Sequence, residues 1–246
     1  MHFTMYFYLE QPEISIEYRR SILSFIKTAL THCNEGKYYE HYYKDTIQKD
    51  FNWYAVFPNP VFTSEKILLE KNAFKVIFST KDTNHSGYIL FMAMNEMLHK
   101  KFPLENGNHM ILNRIQLNNT KAILSEACIF KTSIGSPCVV REHNRDNNQD
   151  RYYSIADSGY DEILTAALRR QAKDAGFEEQ DVERILAKVV RGKKVVIKHY
   201  GQFIDTTQGI FMLKGPSLIL QHFYEVGIGS RRSAGFGSIE LIAERG

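Results

Sequence analysis

Hydrophobic residues alternate from the start of the chain. Phe3, Met5, Phe7 and Leu9 fall on one side of an extended segment, with Thr4, Tyr6 and Tyr8 on the other. A period of two predicts a strand, and the aromatic second face predicts one lying inside a sheet, covered on both sides. The period then changes. Ile22, Phe25, Ile26, Ala29, Leu30 and Cys33 recur at helical spacing, behind Ser15 as candidate N-cap and Glu17 in the first turn. This helix is expected to end near Asn34 to Gly36. Phe51 to Phe57 reads as a strand stopped by Pro58 and Pro60, and Ala73 to Thr80 as another. Tyr88 to Lys101, apolar and then basic, reads as a helix, and Met110 to Leu117 alternates again.

The order strand, helix, strand, strand, helix, strand is the split βαβ pattern of a ferredoxin-like domain. A second pass begins near Lys121. Ala122 to Phe130 reads as a strand, and Ser136–Pro137 interrupts the chain before Cys138 to Val140. Glu142 to Asp150 (EHNRDNNQD) is polar and reads as a loop. Ile155 to Ala175 and Val182 to Val190 are expected as helices, Lys194 to Tyr200 and Gly209 to Leu213 as a hairpin, Ser217 to Val226 as a helix and Gly237 to Ala243 as a strand. The expected class is therefore α+β, two tandem ferredoxin-like (RRM-like) βαββαβ domains. The boundary is placed at Asn118–Asn119, giving units 1–119 and 120–246.

Composition narrows the function. The 246 residues are 43% hydrophobic and 24% charged, an ordinary globular balance that excludes a disordered tail protein. No apolar run approaches the roughly 20 residues of a membrane helix, and the N-terminus carries no secretory pattern. Cys33, Cys128 and Cys138 form no CxxC pair, which argues against a zinc ribbon or disulfide framework and suits a reducing cytosol. The formal charge is only +3, but Arg184, Lys188, Arg191, Lys193, Lys194 and Lys198 occur without an intervening acid. Concentrated charge of this kind can neutralise phosphates, but for a charge cluster alone a solvated basic face ranks ahead. His2, His85, His99, His109, His143, His199 and His222 show no HxxxH or HxH spacing, so no metal or other cofactor is expected.

The most specific segment is GIGSRRSAGFGSIEL, Gly227 to Leu241. Gly227, Gly229, Gly235 and Gly237 flank Arg231 and Arg232 between a helix and a final strand. Glycines let a backbone approach a ligand, and successive N–H groups can form an anion nest. A dinucleotide or P-loop fingerprint needs its glycines after a strand and before a helix, so nucleotide binding is disfavoured. The segment resembles the carboxyl-terminal signature of the Cas6 family, endoribonucleases that process CRISPR precursor RNA. The tandem domains, the Ser136–Pro137 step and the basic hairpin before the last helix fit that layout, while only the glycine-rich loop is specific at the residue level.

The resemblance implies metal-independent cleavage by 2′-OH attack, leaving a 2′,3′-cyclic phosphate and a 5′-OH, with CRISPR repeat RNA as partner and other CRISPR-associated proteins as further candidates. It also implies a catalytic histidine just beyond the first helix. There the sequence reads THCNEGKYYEHYYKD. His41 is the first candidate for general acid or base, with Tyr39 or Tyr42 to orient it and Lys44 to stabilise the transition state. His32 is the second, although a histidine at a helix end also makes a favourable dipole contact. The tyrosines have a plain reading as core aromatics. Lys193, Lys194, Lys198, Arg231, Arg232 and the four loop glycines are the candidate RNA contacts. A non-catalytic repeat RNA-binding protein of the same fold is the alternative. A metabolic enzyme on this scaffold would need converging acids, and no suggestive carboxylate pair is present.

Overall fold

The structure is a computed structural model describing residues 1–43, 49–82, 85–144 and 149–245, without the side chains of His41 and Asn106. In the first half, β1 (His2–Leu9) is followed by a short β2 (Glu13–Ser15), α1 (Tyr18–His32) and α2 (Lys37–Tyr43). Then come β3 (Phe51–Val56), β4 (Val61–Phe62), β5 (Lys66–Leu68), β6 (Ala73–Thr80), α3 (Ser86–Asn95), β7 (Lys101–Pro103) and β8 (His109–Asn118). The main sheet runs β3-β6-β1-β8-β7 with β1 at its centre as expected, but the second face of β1 is not covered along its length: Tyr6 is half-buried and Tyr8 exposed. Register places Phe3 opposite Phe78 and Phe7 opposite Phe74, and those rings stack at 4.9 and 5.0 Å. Ile22, Phe25, Ile26, Ala29 and Leu30 of α1 are fully buried with them, as the helical spacing demands. Ser15 ends β2, and its Oγ accepts the Glu17 N–H at 3.2 Å just before the helix.

The second half repeats the plan. It comprises β9 (Ala127–Thr132), the β10 (Val140–Asn144) and β11 (Gln149–Tyr153) hairpin, α4 (Tyr160–Asp174), one turn of α5 (Glu179–Val182), β12 (Leu186–His199), β13 (Gln202–Lys214), α6 (Ser217–Val226) and β14 (Ile239–Arg245). Its sheet runs β12-β13-β9-β14, the ferredoxin-like order again. Phe130, Phe211 and Leu213 face Leu164, Leu168, Ile219, Leu220 and Phe223 in its core.

Several expectations are corrected. The loop expected over 142–150 is corrected at both ends: Glu142 to Asn144 and Gln149 to Asp150 belong to paired, mostly exposed strands, while 145–148 lie outside the described residues. Residues 182–190 are not a helix beyond Val182. From Leu186 the chain is strand, held where Thr165 Oγ1 accepts the Ala187 N–H at 3.0 Å and Arg169 Nε donates to the Ile185 carbonyl at 3.1 Å. The strand expected from Ala122 starts at Ala127, because the N–H groups of Ile123, Leu124 and Ser125 are taken by Gln221 and Glu244 side chains. The helix expected to Lys101 stops at Asn95, and His99 takes a left-handed φ of 60° that returns the chain into β7. Among the described residues, no helix is long and apolar enough to cross a membrane.

Candidate functional site

The glycine-rich segment leaves α6 at Gly227 and enters β14 at Ile239, folded into the molecule. Its four glycines have φ between 69° and 85° and are buried. A Cβ on Gly237 would lie 2.0 Å from the Ile228 carbonyl oxygen, so no other residue fits there without moving backbone. The glycine N–H groups are already used: Gly227 donates to Phe223, Gly235 to Arg232 and Gly237 to Pro137 carbonyls, and Gly229 to Gln171 Oε1 at 2.9 Å. The four glycine N–H groups are therefore not free to form an anion nest, because each has a partner inside the protein.

What the segment does is join the halves. The Trp53 indole donates to the Ser233 carbonyl at 2.9 Å. Arg19 is buried, donates to the Gly235 carbonyl at 3.4 Å and to that of Gly135, and lies 4.8 and 4.4 Å from the Tyr18 and Phe236 ring centres. Asn52 Nδ2 and Ser79 Oγ both donate to the Glu225 carbonyl, at 3.0 and 2.6 Å. Sequence reasoning passed over Arg19 and Trp53. Arg19 stands three and seven residues before Ile22 and Ile26, a cation on the apolar stripe of α1, and that was the available signal.

Beside this seam lies a pocket of about 230 Å³ lined by Lys49, Arg141, Arg170, Arg231 and Arg232, with Asp174, Gln171 and the 229–233 backbone. Five cations face one acid, an arrangement suited to phosphate. Arg232 is buried, donates from Nη1 to the Gly229 carbonyl at 3.0 Å, and is lowered by burial to about 10, so it remains a cation. Arg231 is more open and meets Asp150 at 3.4 Å and the Tyr152 hydroxyl at 2.5 Å. Asp150 also accepts from Arg141 at 3.0 Å and from His143 Nδ1 at 2.8 Å. Burial raises the Asp150 carboxyl, but the donors His143, Arg141 and Tyr152 outweigh it and hold the group below its usual range. Lys49, Arg141, Arg170 and Asp150 belong to no sequence motif. They converge only through the fold.

His41 lies beyond the first helix, as expected, on the short helix α2. Asn34 and Glu35 take left-handed φ of 48° and 55° and restart the chain after α1. The Tyr42 hydroxyl is buried and donates to the Ser86 carbonyl at 3.3 Å; burial pushes it up to about 12. Tyr39 stacks on Tyr43 at 5.4 Å. Over the Tyr43 ring sit Lys27 Nζ at 4.9 Å and Lys49 Nζ at 5.0 Å. Burial, with Lys27 beside it, lowers Lys49. Lys49 also lines the cationic pocket, so the Tyr43 ring at the end of α2 approaches it through Lys49, although no described side chain of α2 is among those lining it. Lys44 lies outside the described residues. His32 is exposed at the C-terminus of α1, where the dipole reading suffices.

The hairpin lysines are dispersed along β12. Lys193 is exposed, Lys194 is bridged to Asp205 at 2.8 Å, and Lys198 lines a separate apolar groove between the halves. Among the described residues no three His, Cys, Asp or Glu gather as metal ligands.

The chain matches the family model of CRISPR associated protein Cas6, C-terminal, over residues 117–241. No curated protein matches it. Three solved structures are similar along the chain. One is of a Cas6-related gene from Pyrococcus furiosus, 17% identical with a TM-score of 0.81, covering 100% of this chain and 99% of that one. A RAMP protein binding different RNA substrates is 16% identical, with a TM-score of 0.80 over 99% and 100%. A Cas6 product complex is 13% identical, with a TM-score of 0.69 over 98% and 99%. At these identities the likeness is one of fold, two ferredoxin-like units in tandem. The family model spans half of the sequence, and on that match the chain belongs to the Cas6 family.

Proposed function

We propose that this protein is an endoribonuclease that cuts CRISPR precursor RNA within its repeats, without a metal. The 2′-OH upstream of the scissile phosphate attacks phosphorus, the bond to the 5′-oxygen breaks, and a 2′,3′-cyclic phosphate and a 5′-OH result. The observation that carries this reading is the cationic pocket shared by the two halves, in which Lys49 of one half faces Arg141, Arg170 and Arg231 of the other. Such a pocket seats a phosphodiester and offsets the charge of the phosphorane. Family membership and the RNA-bound solved relatives support the substrate class.

In this reading His41, on the helix whose Tyr43 ring packs against Lys49 of the pocket, moves a proton during attack. Tyr39 and Tyr42 shape its surroundings as packed aromatics, with Tyr42 fixed by Ser86. Arg231 and the hairpin lysines position the RNA backbone. The test is cleavage of a repeat RNA in EDTA by wild type and His41→Ala. Cutting by the first and not the second, at equal RNA affinity, is expected. Tight retention of uncut RNA by wild type would leave the protein a repeat-RNA binder.

A further inference from the structure

Transesterification of RNA moves two protons, one off the attacking 2′-OH and one onto the departing 5′-oxygen, and efficient catalysis supplies a group for each. The first half offers His41. The second half offers another imidazole, which the sequence reading passed over.

His143 and Asp150 are cross-strand partners on the β10–β11 hairpin. The His143 Nδ1–H donates to Asp150 Oδ1 at 2.8 Å. The other carboxylate oxygen accepts from Arg141 at 3.0 Å, from the Tyr152 hydroxyl at 3.0 Å and from Arg231 at 3.4 Å. The carboxylate is thus clamped from three sides and in turn fixes the ring, leaving Nε2 as the exchanging nitrogen. Nε2 has no hydrogen-bond partner among the described residues, and the side chain is 38% exposed. A structural ion pair would need no more than Arg141 and Asp150. Here an oriented, accessible imidazole is added on the carboxylate that two arginines of the cationic pocket also contact. Arg141 stands two residues before His143 on the same face of the strand, and Arg141 and Arg231 both line that pocket. The imidazole does not itself line the pocket; it is tied to it through Asp150, which both pocket arginines contact.

We infer that His143 is the general acid of RNA cleavage and that Asp150 is its positioning residue. This rests on the nuclease reading above. As the bond from phosphorus to the 5′-oxygen breaks, the Nε2 proton passes to that oxygen, giving the 5′-OH product. The ring is left neutral and regains a proton from water. Throughout, Asp150 offsets the positive charge that the donating ring carries.

The experiment compares single-turnover cleavage of ordinary repeat RNA with RNA carrying sulfur in place of the scissile 5′-oxygen, whose thiolate leaves without needing a proton. His143→Ala should cut ordinary RNA about 100-fold slower or worse at unchanged RNA affinity, and should regain near wild-type speed on the sulfur RNA. Asp150→Asn, which keeps the ring and loses the charge, should show a smaller loss that the sulfur RNA also repairs. His143→Ala at wild-type speed on ordinary RNA, or equally slow on both substrates, overturns the assignment. Wild-type protein that cuts neither substrate removes the nuclease reading itself, and the inference with it.

Discussion

The Trp53 indole donates to the Ser233 carbonyl at 2.9 Å while its ring fills the space where Gly235 lacks a side chain. A Cβ on Gly235 would meet Trp53 Cη2 at 2.8 Å. One tryptophan of the first half and one glycine of the second therefore fix the seam beside which the cationic pocket lies. Gly235→Ala should lower stability by about 2–4 kcal/mol, combining the left-handed φ with the ring clash. Trp53→Ala should cost about 3–5 kcal/mol. Denaturant unfolding measures both, and a change below 1 kcal/mol in Gly235→Ala would show a seam loose enough to absorb the methyl group.

The two neighbouring arginines should separate binding from folding. Arg231 is accessible and lines the pocket, so Arg231→Ala should weaken RNA binding and reduce the slope of log affinity against log salt by about one, with stability nearly unchanged. Arg232 is buried against the Gly229 carbonyl, so Arg232→Ala should destabilise by about 2–3 kcal/mol. Filter binding across salt concentrations and thermal unfolding report the two effects separately.

Acid should weaken the fold through its buried histidines. Burial, with Lys81 and Arg232 nearby, lowers His222 to about 3, and both of its ring nitrogens are buried without a hydrogen-bond partner among the described residues. The unfolded chain takes up this proton below about 6.5 and the folded chain does not, so its contribution is intact above that pH and is lost as pH falls towards 3. Between pH 7 and 5 this one site should remove about 2 kcal/mol. His222→Leu should lose correspondingly less over the same interval, measured as Tm against pH. Equal acid sensitivity in both proteins would show that His222 charges in the folded state.

Much of the fold is legible in the sequence because its strands and helices obey their periods. Alternation of Phe3, Met5 and Phe7 and the helical stripe from Ile22 to Leu30 specify a central strand and its covering helix before any contact is known. The short pieces are not legible. Residues 142–144 and 149–150 read as loop because an exposed ribbon buries too little to show alternation, and residues 182–190 read as helix because the apolar alternation of Ala187 and Val189 is weak beside charged neighbours.

The candidate site was readable only in outline. The glycine-rich segment announced itself, but as a contact loop, whereas its glycines serve tight turns and the close approach of Trp53. The pocket cations Lys49, Arg141 and Arg170 are scattered across the chain and meet only because the segment before β3, the strand β10 and the helix α4 converge on one pocket. The same holds for Asp150 and His143, whose pairing is a cross-strand register and leaves no spacing signature.

The most direct test of the account is the chemistry of the ends. Repeat RNA should be incubated with the purified protein in EDTA, in its natural form and with a single 2′-deoxy residue just upstream of the cut, and the fragments weighed by mass spectrometry. The account predicts a 2′,3′-cyclic phosphate and a 5′-OH from the natural RNA and no cut at the deoxy site. Cleavage that requires divalent metal, or that proceeds unchanged past the 2′-deoxy residue, would contradict it.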